Sequence, residues 1–318
     1  MKYVGLTTQI SRNNRNSFFL LIAFPLLLLA MVYAGVYFFV ENHNANAETN
    51  ERVYNSTQTF SGIAPMVLAG VGVWFLVAWA GHTTFIRIAT GSKPLERKEN
   101  KRIYNLVENL CIQKGMQMPK IFVIEDDSLN AFASGIDKKS YTITVSRGLM
   151  DKLDDEELEG VLAHELTHII NRDVRVLIIS IIFVGIFAFL AEMAFRSIRF
   201  AGRSSKEEKG SGAIILIAIV VTALAYFISI LLRFGISRSR EYLADAGAAE
   251  ITKKPYALAN ALKKISTDPF IEAVESRDVA QLFIGNPTPS AHKSASWDNM
   301  FATHPPIEKR IELLEQYV

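Results

Sequence analysis

The chain has 318 residues, half of them hydrophobic, and a formal net charge of +2 at pH 7. Its mean hydropathy of +0.19 indicates membrane-spanning segments rather than a soluble domain alone. The nearly neutral charge and the lack of a basic stripe with interleaved aromatics argue against a nucleic-acid partner. The single cysteine, Cys111, excludes an intrachain disulfide and fits a reducing compartment.

The first predicted element is a membrane span, an uncharged apolar stretch at 18–40. Three basic residues and no acidic residue precede it, so the positive-inside rule places the N-terminus in the cytoplasm. A cleaved signal peptide is the alternative, since Ala45-Asn46-Ala47 resembles a cleavage site. The stretch is longer than the roughly 7 to 15 apolar residues of a signal-peptide core, and we therefore expect an uncleaved anchor.

A second span is predicted at about 63–86, within the uncharged stretch between Arg52 and Arg87. The polar segment 41–62 before it is acidic on balance and is predicted to be external. Basic residues follow the second span and mark the return to the cytoplasm. Residues 1–89 are thus predicted to form an N-terminal membrane region.

The first part of a soluble catalytic domain is predicted at 90–173. It begins with a helix at 98–114, followed by a strand at 121–124. Two further strands, 130–136 and 141–146, are predicted to form a hairpin. The helix that follows carries the functional motif.

This motif is HExxH, read as His164-Glu165-Leu166-Thr167-His168. Asp154 or Asp155 offers an N-cap for its helix. Residues four apart project from the same helix face, so His164 and His168 can bind one metal ion with Glu165 beside it. This pattern is typical of zinc peptidases.

Two imidazoles leave a catalytic zinc ion one protein ligand short. The HExxHxxGxxH pattern would need glycine and histidine where this chain has Asn171 and Val174. Glu241 and Asp245, four residues apart on one predicted helix face, offer a glutamate ligand and a carboxylate that would accept the other ring proton of a ligand imidazole. Taken alone, that pair would be read as a solvated acidic face. The predicted ligands of one zinc ion per chain are His164, His168 and Glu241.

Two apolar segments, 176–195 and 213–232, separate His168 from Glu241. Both ligands must lie on the same side of a membrane, so the two segments either both cross it or both do not. If they cross, helical continuation would place both ligands about 12 Å from the bilayer. The loop 196–212 carries five basic residues, which disfavours an external position, and a shallow hairpin stays open as an alternative.

The second part of the catalytic domain, 233–318, is predicted to be mostly helical. The fold class we expect is a mainly α membrane protein with four transmembrane helices and a cytoplasmic α+β metalloprotease domain. That domain would combine a small sheet with the HExxH helix and would be of the gluzincin type, with glutamate as third ligand. The elements predicted in its second part are helices at 240–252, 256–266 and 270–279, a loop at 285–300, and a helix after His304-Pro305-Pro306.

Together these motifs resemble the HtpX family of bacterial membrane zinc endopeptidases, which is related to the CaaX prenyl proteases. The resemblance rests on the two N-terminal spans and on residues 130–133, 164–168, 239–245 and 304–305. It implies a multi-pass protein of the bacterial inner membrane with its active site facing the cytoplasm. It also implies a role in stress response and protein quality control, the degradation of misfolded membrane or cytoplasmic proteins.

The resemblance assigns roles to individual residues as well. Zinc would activate a water molecule, and Glu165 would take the proton of that water and pass it to the leaving amine. The segment 130–133 resembles an edge strand that receives substrate as an added strand. His304 resembles a late histidine that stabilises the oxyanion, although helix capping is the alternative. The implied substrate-binding residues are Asn130, Ala131, Phe132 and Arg310.

Two other functions stay open at this point. An intramembrane metalloprotease would hold HExxH within a span, but the acidic run from Asp154 to Glu157 would make burial in lipid costly. A non-catalytic membrane scaffold with a structural zinc is the second alternative. The presence of Glu165 argues against it, because a structural site has no use for a base.

Overall fold

The chain divides into two compact units in a computed structural model. The first, here called the sheet unit, contains residues 1–16, 81–178 and 233–318, and the second, the helical unit, contains residues 17–80 and 179–232. The structure describes residues 6–43, 48–204, 238–271, 282–285 and 305–316.

Two helices are long and apolar enough to cross a membrane: α1, Leu6–His43, and α2, Thr49–Thr90. The most apolar window of α2 has no buried residues, and large side chains such as Met66 are 75% exposed. Contiguous apolar surface of this extent is unfavourable in water and favourable in lipid. Both predicted N-terminal spans lie within these helices.

A third long helix, α6, spans Asp173–Ser204 and contains the predicted span 176–195. In the helical unit, Phe183 of α6 stacks on Phe24 of α1 with 4.3 Å between ring centroids. Ile179 and Ile186, one helical turn to either side, belong to the same apolar cluster. The predicted span 213–232 lies outside the described residues.

The sheet has four strands in the order β1-β2-β4-β3 and is mixed. β2 and β4 are parallel, while β1 pairs with β2 and β3 pairs with β4 in antiparallel fashion. The predicted hairpin is observed as β3 and β4, and β3 is an edge strand. The strands are β1 Lys93–Pro94, β2 Lys120–Ile124, β3 Ala131–Ser134 and β4 Thr142–Ser146.

Two more helices belong to this part of the chain: α3, Lys101–Lys114, which packs against the HExxH helix, and α4, Arg147–Lys152, which packs against β4. α3 ends at residue 114, as predicted, and Gly115 after it adopts the left-handed conformation common at helix C-termini. The short α4 follows β4 directly and had no clear signal in the sequence. Cys111 of α3 is buried in the apolar core.

The HExxH helix, α5, spans Asp155–Asn171. Asp154 and Glu157 form a reciprocal capping box at its start, which satisfies two backbone N–H groups. The expected continuation of this helix into the next apolar segment is wrong. Arg172 adopts the left-handed conformation with φ 60°, and its N–H group caps the carbonyls of α5 before α6 begins.

Two further helices pack against α5, namely α7, Arg238–Thr252, and α8, Pro255–Ile265, and a third, α9, Ile307–Glu315, packs against α7 and α8. Gly247 permits a close approach between α5 and α7. A Cβ atom on Gly247 would lie 2.5 Å from Cγ2 of Thr167, inside van der Waals contact. The predicted helix 270–279 beyond Ile271, the loop 286–300 and His304 lie outside the described residues.

We expect Gly247→Ala to lower the free energy of unfolding by about 1–3 kcal/mol, because the added methyl group forces α7 away from α5. Unfolding can be followed by alkylation of Cys111. This single thiol is buried, and burial raises its pKa to about 11, so it reacts slowly until the fold opens.

The control for this prediction removes the opposing side chain. Thr167→Ala deletes the atoms that the new methyl group would meet, so the double variant should recover part of the stability lost in Gly247→Ala. Strictly additive losses would contradict close packing as the cause.

Candidate metal centre

Three side chains from two helices converge on one point in the sheet unit. His164 and His168 lie four residues apart on α5, and Glu241 approaches from the first turn of α7. The two Nε2 atoms are 3.1 Å apart. The Glu241 carboxylate lies 3.7 Å from His164 Nε2 and 3.5 Å from His168 Nε2.

These distances fit one metal ion. Ligands about 2.0–2.1 Å from a tetrahedral zinc ion lie roughly 3.3 Å from one another, which is close to all three separations. Among the described residues, these three form the cluster whose ligand atoms can all face one ion. Two imidazoles and one carboxylate leave a fourth position for water, as catalytic zinc sites do.

The imidazole of His164 is fixed by a buried carboxylate. His164 Nδ1 lies 2.9 Å from Oδ1 of Asp245, which is one turn beyond Glu241 on α7. An acceptor at Nδ1 leaves Nε2 as the metal-binding nitrogen. Burial lowers the pKa of His164 to about 4, and the positive charges of Arg310 and His168 contribute to this shift.

Asp245 is itself paired with Arg310 of α9. The guanidinium donates from Nε to Oδ2 at 2.9 Å and from Nη2 to Oδ1 at 2.7 Å, a bidentate pair. Its Nη1 also lies 3.4 Å from Glu241. Arg310 is only 1% exposed, so it is not a surface charge. It contacts the carboxylates of Asp245 and Glu241 in the protein interior.

The second imidazole has a matching partner. His168 Nδ1 lies 3.1 Å from Oδ2 of Asp173, the first residue of α6. Burial alone would lower the pKa of His168, but Asp173, Glu241 and Glu165 outweigh it and raise this pKa to about 9. The carboxylates therefore favour a positive charge at this point, which a bound cation would also supply.

Glu165 lies beside the three ligands and is almost fully buried. Burial raises its pKa to about 7, and the nearby Glu241 carboxylate adds to the shift. The N–H group of Ala133 hydrogen-bonds to the Glu165 carboxylate and opposes it, as do His168 and Arg310. A carboxylate with a pKa near neutrality is suited to accept and release a proton.

The edge strand β3 lies alongside this pocket. Ala133 lines it together with the ligands and residues of the segment 282–284. Ala131 and Ala133 direct their peptide groups to the same outer edge, because these groups alternate along a strand. At Ala131 this edge is occupied, since the Ala131 carbonyl accepts a hydrogen bond from Ile284 N at 2.9 Å.

The predicted substrate-binding residues of this strand therefore do not all face the pocket. Asn130 is buried, and its side chain bonds Pro269 O and both backbone groups of Gly285. Phe132 packs against Phe283 with 4.5 Å between ring centroids. Of the predicted strand, the residue that faces the pocket is Ala133.

Two residues of this site were missed in the sequence. Asp173 is separated from the metal-binding helix by Arg172 alone, but a continuous helix would have turned it away from His168. Its position depends on the left-handed Arg172, a residue type that gives no sequence signal for this conformation. Ala133 lies in the segment 130–133, which was predicted to bind substrate. The substrate contacts were assigned to Asn130, Ala131 and Phe132 instead.

In comparisons with known proteins, the chain is similar to peptidases. The model for Peptidase family M48 matches residues 97–318. A Protease HtpX homolog of Bacteroides fragilis (strain YCH46) is 55% identical, covering 100% of both chains. Another from Lactobacillus helveticus (strain DPC 4571) is 33% identical, covering 98% of this chain and 99% of its own. The crystal structure of S. mikatae Ste24p aligns with a TM-score of 0.48 and 19% identity, over 94% of this chain and 64% of that one.

We expect Arg310→Met to lower the free energy of unfolding by about 3–5 kcal/mol, because it removes the positive charge that pairs with the buried Asp245 carboxylate. Arg310→Lys keeps the charge and loses the bidentate geometry, and its loss should be smaller. Alkylation of Cys111 during denaturant unfolding measures both.

Lys309→Met is the matched control, since it also replaces a positively charged side chain by methionine, but at an exposed position next to Arg310 in α9. Its effect should stay within about 0.5 kcal/mol. Equal losses in Lys309→Met and Arg310→Met would contradict the importance of the buried ion pair.

Proposed function

The chain belongs to Peptidase family M48, and we propose that it is a membrane-anchored zinc endopeptidase that cleaves misfolded or damaged proteins at the cytoplasmic face of a bacterial inner membrane. Its family membership makes it a metalloendopeptidase associated with a membrane. The main support for the finer proposal is the convergence of His164, His168 and Glu241 beside the buried Glu165.

Zinc suits this ligand set better than a harder cation. Two imidazole nitrogens and one carboxylate oxygen are typical of catalytic zinc, whereas magnesium and calcium prefer oxygen ligands throughout. When bound, one zinc ion per chain would supply Lewis acidity that activates water and polarises a peptide carbonyl.

Glu165 is proposed as the general base and acid. Its carboxylate would accept a proton from the attacking water and donate it to the amine that leaves when the peptide bond breaks. Asp245 and Asp173 would hold the two imidazoles in the correct tautomer and orientation. The buried position of Glu165 keeps its pKa close to the neutral range in which both transfers are possible.

Substrate would bind by its backbone along β3, as proposed for residues Asn130, Ala131 and Phe132. The contacts favour Ala133 as the centre of this interaction, because it lines the pocket beside the ligands, whereas the Ala131 carbonyl pairs with Ile284. Backbone pairing reads little side-chain sequence, which suits a protease for misfolded chains.

Two residues of the last helix region keep separate roles in this proposal. Arg310 would position Asp245 and Glu241 rather than contact substrate, since it is buried behind both carboxylates. His304 is proposed to stabilise the oxyanion, as the family resemblance implies.

The membrane arrangement we propose has four spans, with membrane regions at 1–89 and 174–232 and catalytic parts at 90–173 and 233–318. Residues 1–16 belong to the same compact unit as the metal ligands. This supports a common side of the membrane for the N-terminus and the site, which the positive-inside rule assigns to the cytoplasm. The HExxH helix belongs to the sheet unit, which favours an anchored protease over an intramembrane one.

We expect Glu165→Gln to reduce cleavage of an unfolded protein substrate by about 10²–10⁴-fold, because glutamine cannot accept the proton. Zinc content should stay near one ion per chain, since the three ligands are unchanged. Cleavage rate and bound zinc are measured together on the detergent-solubilised chain.

Glu156→Gln makes the same change on the exposed side of α5 and should leave the cleavage rate within about twofold. Undiminished cleavage by Glu165→Gln would refute the proposed mechanism. Lack of zinc in the wild-type chain at saturating metal would refute the site.

The four-span arrangement predicts an external location for the segment 196–212, which includes the end of α6. Alkaline phosphatase inserted near residue 205 should be active, since this reporter folds only outside the cytoplasm, whereas insertions at either terminus should be inactive. A fluorescent protein at the same three positions should give the opposite pattern. A cytoplasmic result at residue 205 would instead favour the shallow hairpin.

A further inference from the structure

Asn13 is a polar residue in the first turns of α1, five residues before the predicted first span. It belongs to the sheet unit and is only 2% exposed. A buried amide requires hydrogen-bond partners, because an unpaired polar group away from water costs about 1–3 kcal/mol.

The partners of Asn13 lie at the break between α5 and α6. Its Nδ2 atom donates to the Asn171 carbonyl oxygen at 2.8 Å and to Oδ1 of Asp173 at 2.7 Å. The amide nitrogen carries two hydrogens, and each has one acceptor. The first bond caps the end of the metal-binding helix, while the second reaches the carboxylate beside His168.

Asp173 thus connects two residues through its two oxygen atoms. Oδ1 accepts from Asn13, and Oδ2 lies 3.1 Å from Nδ1 of His168. A carboxylate bonded at one oxygen only could rotate about its side-chain bonds. Bonding at both oxygens fixes the plane of the carboxylate and, through it, the orientation of the His168 ring.

A neighbouring contact gives a useful comparison. Asn14 accepts a hydrogen bond from Nη1 of Arg172 at 2.8 Å, so it also joins α1 to the helix break. This bond does not involve Asp173 or either imidazole. Asn13 and Asn14 are therefore matched in residue type and location, and they differ in their connection to the metal ligand.

We propose that Asn13 is a positioning residue of the metal centre, whose amide orients Asp173 so that Asp173 can orient the zinc ligand His168. This inference rests on the proposed zinc site. It makes the beginning of the first membrane helix a functional part of the catalytic unit. Groups that hydrogen-bond to a metal ligand typically affect metal affinity by 10–100-fold when they are removed, and Asn13 acts on His168 through such a group, Asp173.

The test measures zinc affinity of the full-length chain in detergent by competition with a chromogenic chelator. Asn13→Asp replaces the amide donor by a carboxylate of the same shape and should weaken zinc binding about 10–100-fold. Asn14→Asp adds the same charge one residue away but keeps its acceptor for Arg172, and its affinity should stay within about threefold of wild type. The visible absorption of bound Co²⁺ should change in Asn13→Asp only, because it reports ligand geometry.

A polarity exchange separates positioning from general destabilisation. In the double variant Asn13→Asp with Asp173→Asn, residue 173 can donate to residue 13 and still accept from His168. Its zinc affinity should therefore exceed that of Asn13→Asp alone. Strictly additive losses of the two single variants would overturn the inference.

Should Asn13→Asp fail to fold by the Cys111 assay, Asn13→Ala against Asn14→Ala gives the same comparison without an added charge. Equal zinc affinities in that pair would also overturn the role of Asn13. The proposed function fails on a different result, namely a wild-type chain that binds no zinc or binds it equally well after His168→Ala.

Discussion

The hydrogen bond between a buried carboxylate and an imidazole is the interaction on which the candidate metal centre depends, and it occurs twice. Asp245 holds His164, and Asp173 holds His168. An imidazole can present either nitrogen to a metal, and a fixed acceptor on one nitrogen removes that choice. Each buried carboxylate then needs a donor of its own. Arg310 near one end of the chain and Asn13 near the other supply these donors.

This requirement explains features that would otherwise look unrelated. The break at Arg172 is one of them, because it turns Asp173 back towards His168 while α6 begins. The burial of an arginine in α9 is another, since a guanidinium in the protein interior is stable only when its charge and donors are matched. The close approach of α5 and α7 at Gly247 is a third, as it brings Glu241 and Asp245 within reach of the imidazoles. His164 and His168 are local in sequence, but Glu241 and the residues that support the ligands are not.

The parts of this site that could be predicted from the sequence are those governed by helical periodicity. HExxH and the Glu241-Asp245 pair each place two groups on one face of one helix, and four-residue spacing is visible without a structure. The hairpin of β3 and β4 was predicted for a similar reason, because alternation is local. Asp173 could not be predicted, since its position depends on a left-handed arginine. Arg310 and Asn13 look like ordinary surface or membrane-flanking residues until tertiary contacts bury them.

The continuity of α1 from Leu6 to His43 has a practical consequence. A helix of this kind is usually regarded as a tether, which can be cut off to obtain a soluble catalytic fragment. Here its first turns carry an amide that bonds to the carboxylate beside a proposed ligand. A fragment that starts after the first span would retain every residue of the HExxH motif and still lack one member of the hydrogen-bond chain behind it. The anchor and the chemistry of this protein are therefore not separable modules.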